Sequence, residues 1–248
     1  MRLFFLSLSY LTFTLVMTQS SISQAISFSE KHFTPFANRL LDPTSALVFL
    51  AGAGSVAVVN NNDQQIRDDW KDHQKMPSSQ SEIGDILGTG VPGLMIAAGQ
   101  FYLDSDENHY QSHFRSLVYG TLGVYSLKFA FKRSRPGNSQ SQQSFPSGHT
   151  TTAFATATAM TYAYGWKAAV VAYPIATFVG LSRLADDSHW GSDVVGGAFL
   201  GFILARASCY ELEAEKKIEP EQKSEQSLWF FYPDVGPDHQ GAGLVYIF

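Results

Sequence analysis

The chain has 248 residues and a formal net charge of −5. This length is sufficient for one domain with a well-buried core, and no internal repeat is visible. The acidic balance and the scattered lysine and arginine residues argue against a nucleic-acid partner. Cys209 is the single cysteine, so no intramolecular disulfide can form and stability must come from packing.

An export signal is predicted at the start of the chain. Residues 1–25 contain Arg2, an apolar stretch of about 14 residues and a small-x-small site that ends at Ala25. Because roughly 20 apolar residues are needed to span a bilayer, this pattern is typical of a cleaved signal peptide. An uncleaved signal anchor is the alternative. In either case the rest of the chain is expected outside the cytoplasm, in the periplasm or cell envelope.

The apolar segments that follow predict an all-α fold. A short helix is expected within residues 26–43, and the polar run over 60–82 is predicted to be an exposed helix or loop because of its many charges. Longer helices are expected over 44–59, 83–103, 111–133, 149–164, 167–182 and 192–207. We therefore predict one helical bundle of about six core helices over residues 26–210.

The end of the chain has a different composition. Residues 211–226 form a charged extension, which is typical of a solvated segment. Two short β-prone runs follow, and Gly, Pro and Asp separate them. This pattern predicts a short β-hairpin at the end of residues 211–248.

The sequence favours a soluble or peripherally attached domain over an integral membrane protein. The last core helix has about 12 residues between Asp193 and Arg206, or about 18 Å, against about 30 Å of hydrocarbon. The mean hydropathy of −0.06 and the threonine-rich segment at 149–164 support the same expectation. Integration into the membrane is the alternative.

A basic cluster closes the third predicted core helix. Lys128 and Arg135 are seven residues apart, or two helical turns, so a helix would present both cations on one face before Pro136 ends it. Lys132 and Arg133 extend this basic patch. By itself the cluster is typical of a solvated helix end.

The fourth core helix begins with PSGH at residues 146–149. Ser147 can cap the helix, and Gly148 lets the backbone approach a ligand closely. The free N–H groups of a helix start also favour an anion. A cap explains the serine but leaves His149 unexplained.

A third block combines Arg183, His189 and Asp193. The histidine and the aspartate are four residues apart, so on one helix the carboxylate can hold one ring nitrogen and leave the other free to attack. Together the three blocks supply three cations, a helix start and two histidines. Hydrolysis of a phosphate ester needs such cations for the charged oxygens and a general acid for the leaving group.

These blocks, in this order, resemble the full three-part signature of the type 2 phosphatidic acid phosphatase superfamily, which also contains bacterial acid phosphatases and vanadium haloperoxidases. The resemblance implies that His189 is a nucleophile that forms a phosphohistidine, that Asp193 orients it, and that His149 is the general acid. It implies that the phosphate is held by Lys128, Arg135, Ser147, Gly148 and Arg183. No metal or other cofactor is implied, and vanadate or phosphate would occupy the same site.

The expected function is metal-independent hydrolysis of a phosphate monoester, with a phosphorylated lipid or isoprenoid pyrophosphate at a membrane surface as the substrate. Three alternatives remain open. They are a secreted acid phosphatase acting on soluble monoesters, a vanadium-dependent haloperoxidase, and a non-catalytic envelope protein that binds phospholipid. His109 and His113 have a spacing that metal ligands use, but without further ligands nearby they are predicted to lie in a surface turn.

Overall fold

The structure is a computed structural model that describes residues 27, 29–137, 139–218, 228–236 and 239–247. The predicted signal at 1–25 lies outside the described residues. A short π-helix, Ser29–Phe33, leads directly into the first α-helix. The boundary between two compact units of the chain falls between Glu213 and Ala214.

The described residues form ten α-helices and two β-strands. The helices are α1 Thr34–Leu40, α2 Pro43–Asn60, α3 Asp63–Asp72, α4 Ser78–Gly88, α5 Val91–Leu103, α6 Glu107–Phe131, α7 Gly148–Tyr164, α8 Trp166–Ala185, α9 Gly191–Ser208 and α10 Tyr210–Ile218. The strands are β1 Leu228–Gly236 and β2 His239–Ile247. The all-α prediction for the main part of the chain is confirmed.

The predicted core helices are present with ends shifted by a few residues, except that the segment 83–103 is divided in two. Helices α4 and α5 meet at an angle of 48°. Gly90, between them, has a φ of +89°, in the left-handed region that glycine adopts most easily. The polar run at 60–82 contains α3, which therefore belongs to the folded body of the protein.

Helix α9 is the central element of the bundle. It packs against α2, α6 and α7, and α7 in turn packs against α8. Close approach depends on glycine: a methyl group on Gly201 would lie 2.4 Å from the carbonyl oxygen of Thr151, and one on Gly197 would lie 2.6 Å from that of Ser147. The backbones of α7 and α9 are therefore in near contact.

The outer helices are suited to a membrane. Among the described residues, α2 and α8 are long and apolar enough to span a bilayer, and the bent pair α4–α5 raises the number of candidate spans to three. Large apolar side chains on their outer faces are exposed, including Leu47, Phe49 and Val170. An extended apolar surface of this kind marks contact with lipid. The fold therefore favours an integral membrane protein and corrects the expectation of a soluble or peripheral domain.

Two sequence features led to the expectation of a soluble domain, and the structure gives each of them a different explanation. The short apolar stretch between Asp193 and Arg206 belongs to α9, which other helices surround, so its length says nothing about the outer surface. The threonine-rich segment is α7, where hydroxyl groups donate to carbonyl oxygens one turn back. Examples are Thr158 to Phe154, at 2.7 Å, and Thr161 to Ala157. Threonine satisfied in this way is compatible with a membrane helix.

The C-terminal unit contains a two-stranded antiparallel sheet. Leu228 pairs with Ile247 at the open end, and Gly236 pairs with His239 at the turn. This is the segment in which the sequence predicts a hairpin.

The close contact between α7 and α9 can be tested by Gly201→Ala. The added methyl group would meet backbone atoms of α7, which cannot move aside as a side chain does, so we expect the free energy of unfolding to fall by about 1–3 kcal/mol. Denaturant titration of the purified protein in detergent micelles measures this change. Gly54→Ala, where a methyl group would meet nothing within 4 Å, is the matched control and should not lower stability. Equal stability of the two variants would contradict the packing described.

Candidate active site

Four helix ends and one loop converge on the predicted site. The end of α6 supplies Lys128, the loop 132–147 follows it, and the start of α7 supplies His149. The end of α8 and the start of α9 lie on either side of His189. Residues that are distant in the sequence therefore meet at one end of the bundle.

His189 and Asp193 are buried together. The ring nitrogen Nδ1 of His189 lies 3.4 Å from Oδ2 of Asp193, and the histidine is 5% exposed while the aspartate is fully buried. Helix α9 begins at Gly191, so the histidine precedes the helix and the predicted one-helix arrangement of the pair is wrong. The contact arises because the chain turns into α9 at this point. It leaves Nε2 as the ring nitrogen that does not face the carboxylate.

The Asp193 carboxylate accepts several hydrogen bonds from its surroundings. Oδ1 accepts from a guanidinium nitrogen of Arg133 at 2.7 Å, and Oδ2 accepts from the hydroxyl of Ser144 at 2.5 Å. Oδ2 also accepts from the backbone N–H of Trp190 at 3.0 Å. These donors stabilise the ionised carboxylate, since a buried charge needs partners on every side. The carboxylate is thereby fixed next to the His189 ring.

Burial lowers the pKa of His189. Asp193 opposes this shift, while the positive charges of Arg135 and Lys128 add to it. The neutral ring, which has a free electron pair, therefore persists at mildly acidic pH. Arg135 and Lys128 therefore both lie close enough to the His189 imidazole to affect its protonation.

Asp85 links His149 to Arg183. Nε2 of His149 lies 3.1 Å from Oδ1 of Asp85, and the same carboxylate oxygen accepts from Arg183. Arg183 also donates to Oδ2 of Asp186 at 2.7 Å and to the carbonyl oxygen of Ser81 at 3.2 Å. The arginine is 4% exposed, so these contacts fix its orientation.

Lys128 and Arg135, the cations of the basic cluster, do not share a helix face. Helix α6 ends at Phe131, and Lys132 adopts a left-handed backbone conformation there. Lys128 is in the last turn and points to the carbonyl oxygens of Gln143 and Ser144. Arg135 lies in the loop beyond the helix. The predicted common face is therefore wrong, although the loop still returns the chain to Lys128.

Arg135 has a side chain with a buried Nε that no described residue accepts from. Its backbone N–H donates to the carbonyl oxygen of Ser141 at 3.2 Å, which stabilises the turn of the loop. A buried donor without a protein partner is uncommon and suits a ligand that supplies the acceptor. The Nε of Arg135 is therefore available to a ligand, and the guanidinium adds positive charge near His189.

The PSGH segment caps α7 as predicted. The Ser147 side chain accepts from Thr150, whose hydroxyl lies 2.9 Å away, and the Ser147 N–H donates to the carbonyl oxygen of Asp193 at 3.0 Å. The second contact joins the start of α7 to the start of α9. Gly148 is the first residue of the helix, where backbone N–H groups have no acceptor one turn back.

Two parts of the site were missed by sequence reasoning. Arg133 was assigned to a general basic patch, but it donates to Asp193 and supports the carboxylate from behind. Asp85 belongs to none of the three blocks. It is the only charged residue in the predicted helix 83–103, and an isolated carboxylate in an apolar segment is a signal that could have identified it.

His113 is not in a surface turn, so that prediction is wrong. Its ring is fully buried, with Nδ1 2.9 Å from the side-chain oxygen of Gln100 and Nε2 3.3 Å from the hydroxyl of Thr156. It therefore joins α5, α6 and α7 within the bundle. His109 pairs with Asp104, with Nδ1 2.6 Å from Oδ2.

Comparison with known proteins identifies relatives of this chain. Residues 112–216 match the family model of the PAP2 superfamily. A lipid A 1-phosphatase from Porphyromonas gingivalis is 42% identical over 84 residues, which are 33% of this chain and 19% of the relative. A lipid A 4'-phosphatase from Helicobacter pylori is 26% identical over 140 residues, which are 51% of this chain and 65% of the relative. The chain thus spans less than two thirds of the length of these relatives.

One solved structure shows a similar fold. The first transmembrane PAP2-type phosphatidylglycerolphosphate phosphatase from Bacillus subtilis superposes with a TM-score of 0.54 at 21% identity, over 72% of this chain and 98% of that chain. Aquifex aeolicus LpxE gives a TM-score of 0.49 at 22% identity, over 63% of this chain and 93% of that chain. The family match includes all the predicted site residues, from Lys128 to Asp193. The part of the chain that carries these residues, 112–216, thus matches the PAP2 superfamily model.

Proposed function

We propose that this protein is a phosphatase that removes a phosphate group from a lipid, without a metal ion, through a phosphohistidine on His189. One observation carries the proposal: Nδ1 of the buried His189 lies 3.4 Å from Oδ2 of the buried Asp193, and Lys128, Arg135 and His149 are nearby. This arrangement combines a nucleophile, an orienting group and charge stabilisation for a phosphate.

In the first step, Nε2 of His189 attacks phosphorus while Asp193 holds the opposite side of the ring. The N–P bond forms as the ester P–O bond breaks. His149 gives its proton to the leaving oxygen, so the lipid departs as a neutral alcohol. Lys128, Arg135 and Arg183, with the Ser147 hydroxyl and the Gly148 N–H, stabilise the negative charge on the phosphoryl oxygens.

In the second step, water attacks the phosphohistidine. His149, now neutral, takes a proton from the water as the new P–O bond forms. The N–P bond breaks, and inorganic phosphate leaves with His189 restored to its neutral form. Both steps use the same cations, because the charge on the phosphoryl group develops at the same oxygens each time.

A membrane lipid is the substrate class that agrees best with the rest of the molecule. The relatives are lipid A phosphatases, and the site lies at one end of a bundle whose outer helices are apolar. A lipid anchored in the bilayer would present its headgroup at this end. We therefore propose a phosphorylated lipid, with lipid A phosphates as the first substrates to test and isoprenoid pyrophosphate as a further one.

The proposal predicts that purified protein in detergent micelles releases inorganic phosphate from lipid A, and that His189→Ala lowers this rate by at least about 10³-fold. The loss follows because alanine has no nitrogen that can form the N–P bond. Phosphate release should be compared among lipid A, phosphatidate, isoprenyl pyrophosphate and p-nitrophenyl phosphate. Labelled substrate quenched in alkali should give an N-linked phosphoenzyme with the wild type only.

His73→Ala is the matched control, since His73 is 70% exposed on its side chain and bonds only within its own segment. It should retain full activity. Hydrolysis that survives the loss of His189 would disprove the mechanism. A wild-type protein that binds these lipids and releases no phosphate would disprove the function. EDTA should leave the rate unchanged if the reaction needs no metal.

Asp85 gives a prediction about pH. Burial and the positive charge of Arg183 lower the pKa of His149, and Asp85 opposes them. Asp85→Asn removes that opposition, so the pKa of His149 should fall further. Because a general acid must carry its proton, the alkaline limb of the kcat/KM profile should move to lower pH. Activity at neutral pH should fall by several-fold and recover in part on mild acidification.

Glu82→Gln is the matched control, because it removes an exposed carboxylate from the same helix. Its profile should superpose on that of the wild type. Since both variants act on the same substrate, ionisation of the phosphate group cancels in the comparison. An unshifted alkaline limb in Asp85→Asn would show that the aspartate does not act on the general acid.

A further inference from the structure

Helix α3 lies against the chain on both sides of His189. Residues 186–190, called here the His189 loop, connect α8 to α9, and both helices contact α3. Helix α3 precedes the family match at 112–216 by about 40 residues and contains none of the signature residues. Its contacts with the loop therefore come from a part of the chain outside the family match.

Before His189, the contact is a two-point ion pair. Arg67 donates from Nε to Oδ1 of Asp187 at 2.6 Å and from a terminal nitrogen to Oδ2 at 2.8 Å. Parallel bonds of this type fix orientation as well as distance. Asp187 has a φ of +52°, a left-handed conformation in which the chain turns sharply toward His189. The arginine therefore holds the tightest turn of the loop.

After His189, the contact is a buried carboxylate. Oδ1 of Asp63 accepts from the backbone N–H of Ser192 at 2.9 Å, and Oδ2 accepts from the Ser192 hydroxyl at 2.5 Å. Oδ2 also accepts from Arg133 at 2.7 Å. Because Arg133 donates at the same time to Asp193, Asp63 supports the orienting carboxylate through one intermediate side chain.

Trp190, the residue next to His189, lies near two arginines. The guanidinium carbon of Arg67 lies 6.0 Å from the ring centre of Trp190, and that of Arg133 lies 5.7 Å from it. The indole N–H donates to the carbonyl oxygen of Ser134 at 2.9 Å. Contacts from α3 thus reach the His189 loop at Asp187 and Trp190, and the start of α9 at Ser192.

We propose that α3, through Arg67 and Asp63, positions the His189 loop for attack on phosphorus. The inference rests on the proposed function. Neither side chain touches the phosphate: Arg67 acts through Asp187, and Asp63 acts through Ser192 and Arg133. The attacking nitrogen must be held to a fraction of an ångström, and a displacement of about 1 Å can cost 10²-fold in rate. A loop fixed at both ends by an outside helix meets this requirement.

The test uses the full-length protein in detergent and measures phosphoenzyme formation in a single turnover, per mole of folded enzyme. Arg67→Ala should lower this rate by about 10- to 100-fold with little change in KM. Arg67→Lys keeps the charge and loses the two-point geometry, so its rate should be intermediate. Lys75→Ala is the matched control, because Lys75 pairs with Asp69 away from the loop. It should form phosphoenzyme at the wild-type rate.

A reciprocal exchange separates positioning from folding. Arg67→Asp and Asp187→Arg should each slow phosphorylation, and the double variant should recover at least part of the rate. Wild-type rates in both Arg67→Ala and Arg67→Lys would overturn the proposal, as would an equal loss in Lys75→Ala. If the wild type itself forms no phosphoenzyme, the proposed function fails before any variant is compared, so the two failures are distinguishable.

Discussion

The buried carboxylate of Asp193 is the constraint on which the rest of the site depends. An ionised carboxylate with no exposed surface is costly, by several kcal/mol, unless hydrogen-bond donors surround it. Arg133 and Ser144 supply donors from the loop after α6, and the backbone N–H of Trp190 supplies another. The charge can therefore be buried only when this loop is folded against the start of α9. The His189 ring lies beside this fixed carboxylate, with Nδ1 3.4 Å from Oδ2.

Helix packing supplies the second requirement, which is to bring two histidines forty residues apart to one place. The glycines of α9 let its backbone touch that of α7, and the N–H of Ser147 reaches the carbonyl oxygen of Asp193. The two helix starts are thereby joined directly. Since His149 is in the first turn of α7 and His189 just precedes α9, the packing of these helices decides the separation of the two rings.

Polar groups outside the signature complete the arrangement. Asp85 joins the second histidine to Arg183, and Asp63 and Arg67 support the His189 loop. All three come from the first hundred residues, which the family model does not include. In a bundle whose outer surface is apolar, charged side chains are costly anywhere except at such a site, where each has a partner.

The sequence by itself determined the helical class, most helix limits, the cap at Ser147 and the candidate site residues, because periodicity, capping and motif order are local properties of the chain. It placed Lys128 with Arg135, and His189 with Asp193, on single helices; the structure separates both pairs with helix ends. It also favoured a soluble domain, because mean hydropathy does not show which faces point outward. Only the tertiary structure decided that α9 is central, that α2 and α8 are the apolar outer helices, and that Asp63, Arg67 and Asp85 reach the site. These are contacts between residues far apart in the chain, so no local pattern encodes them.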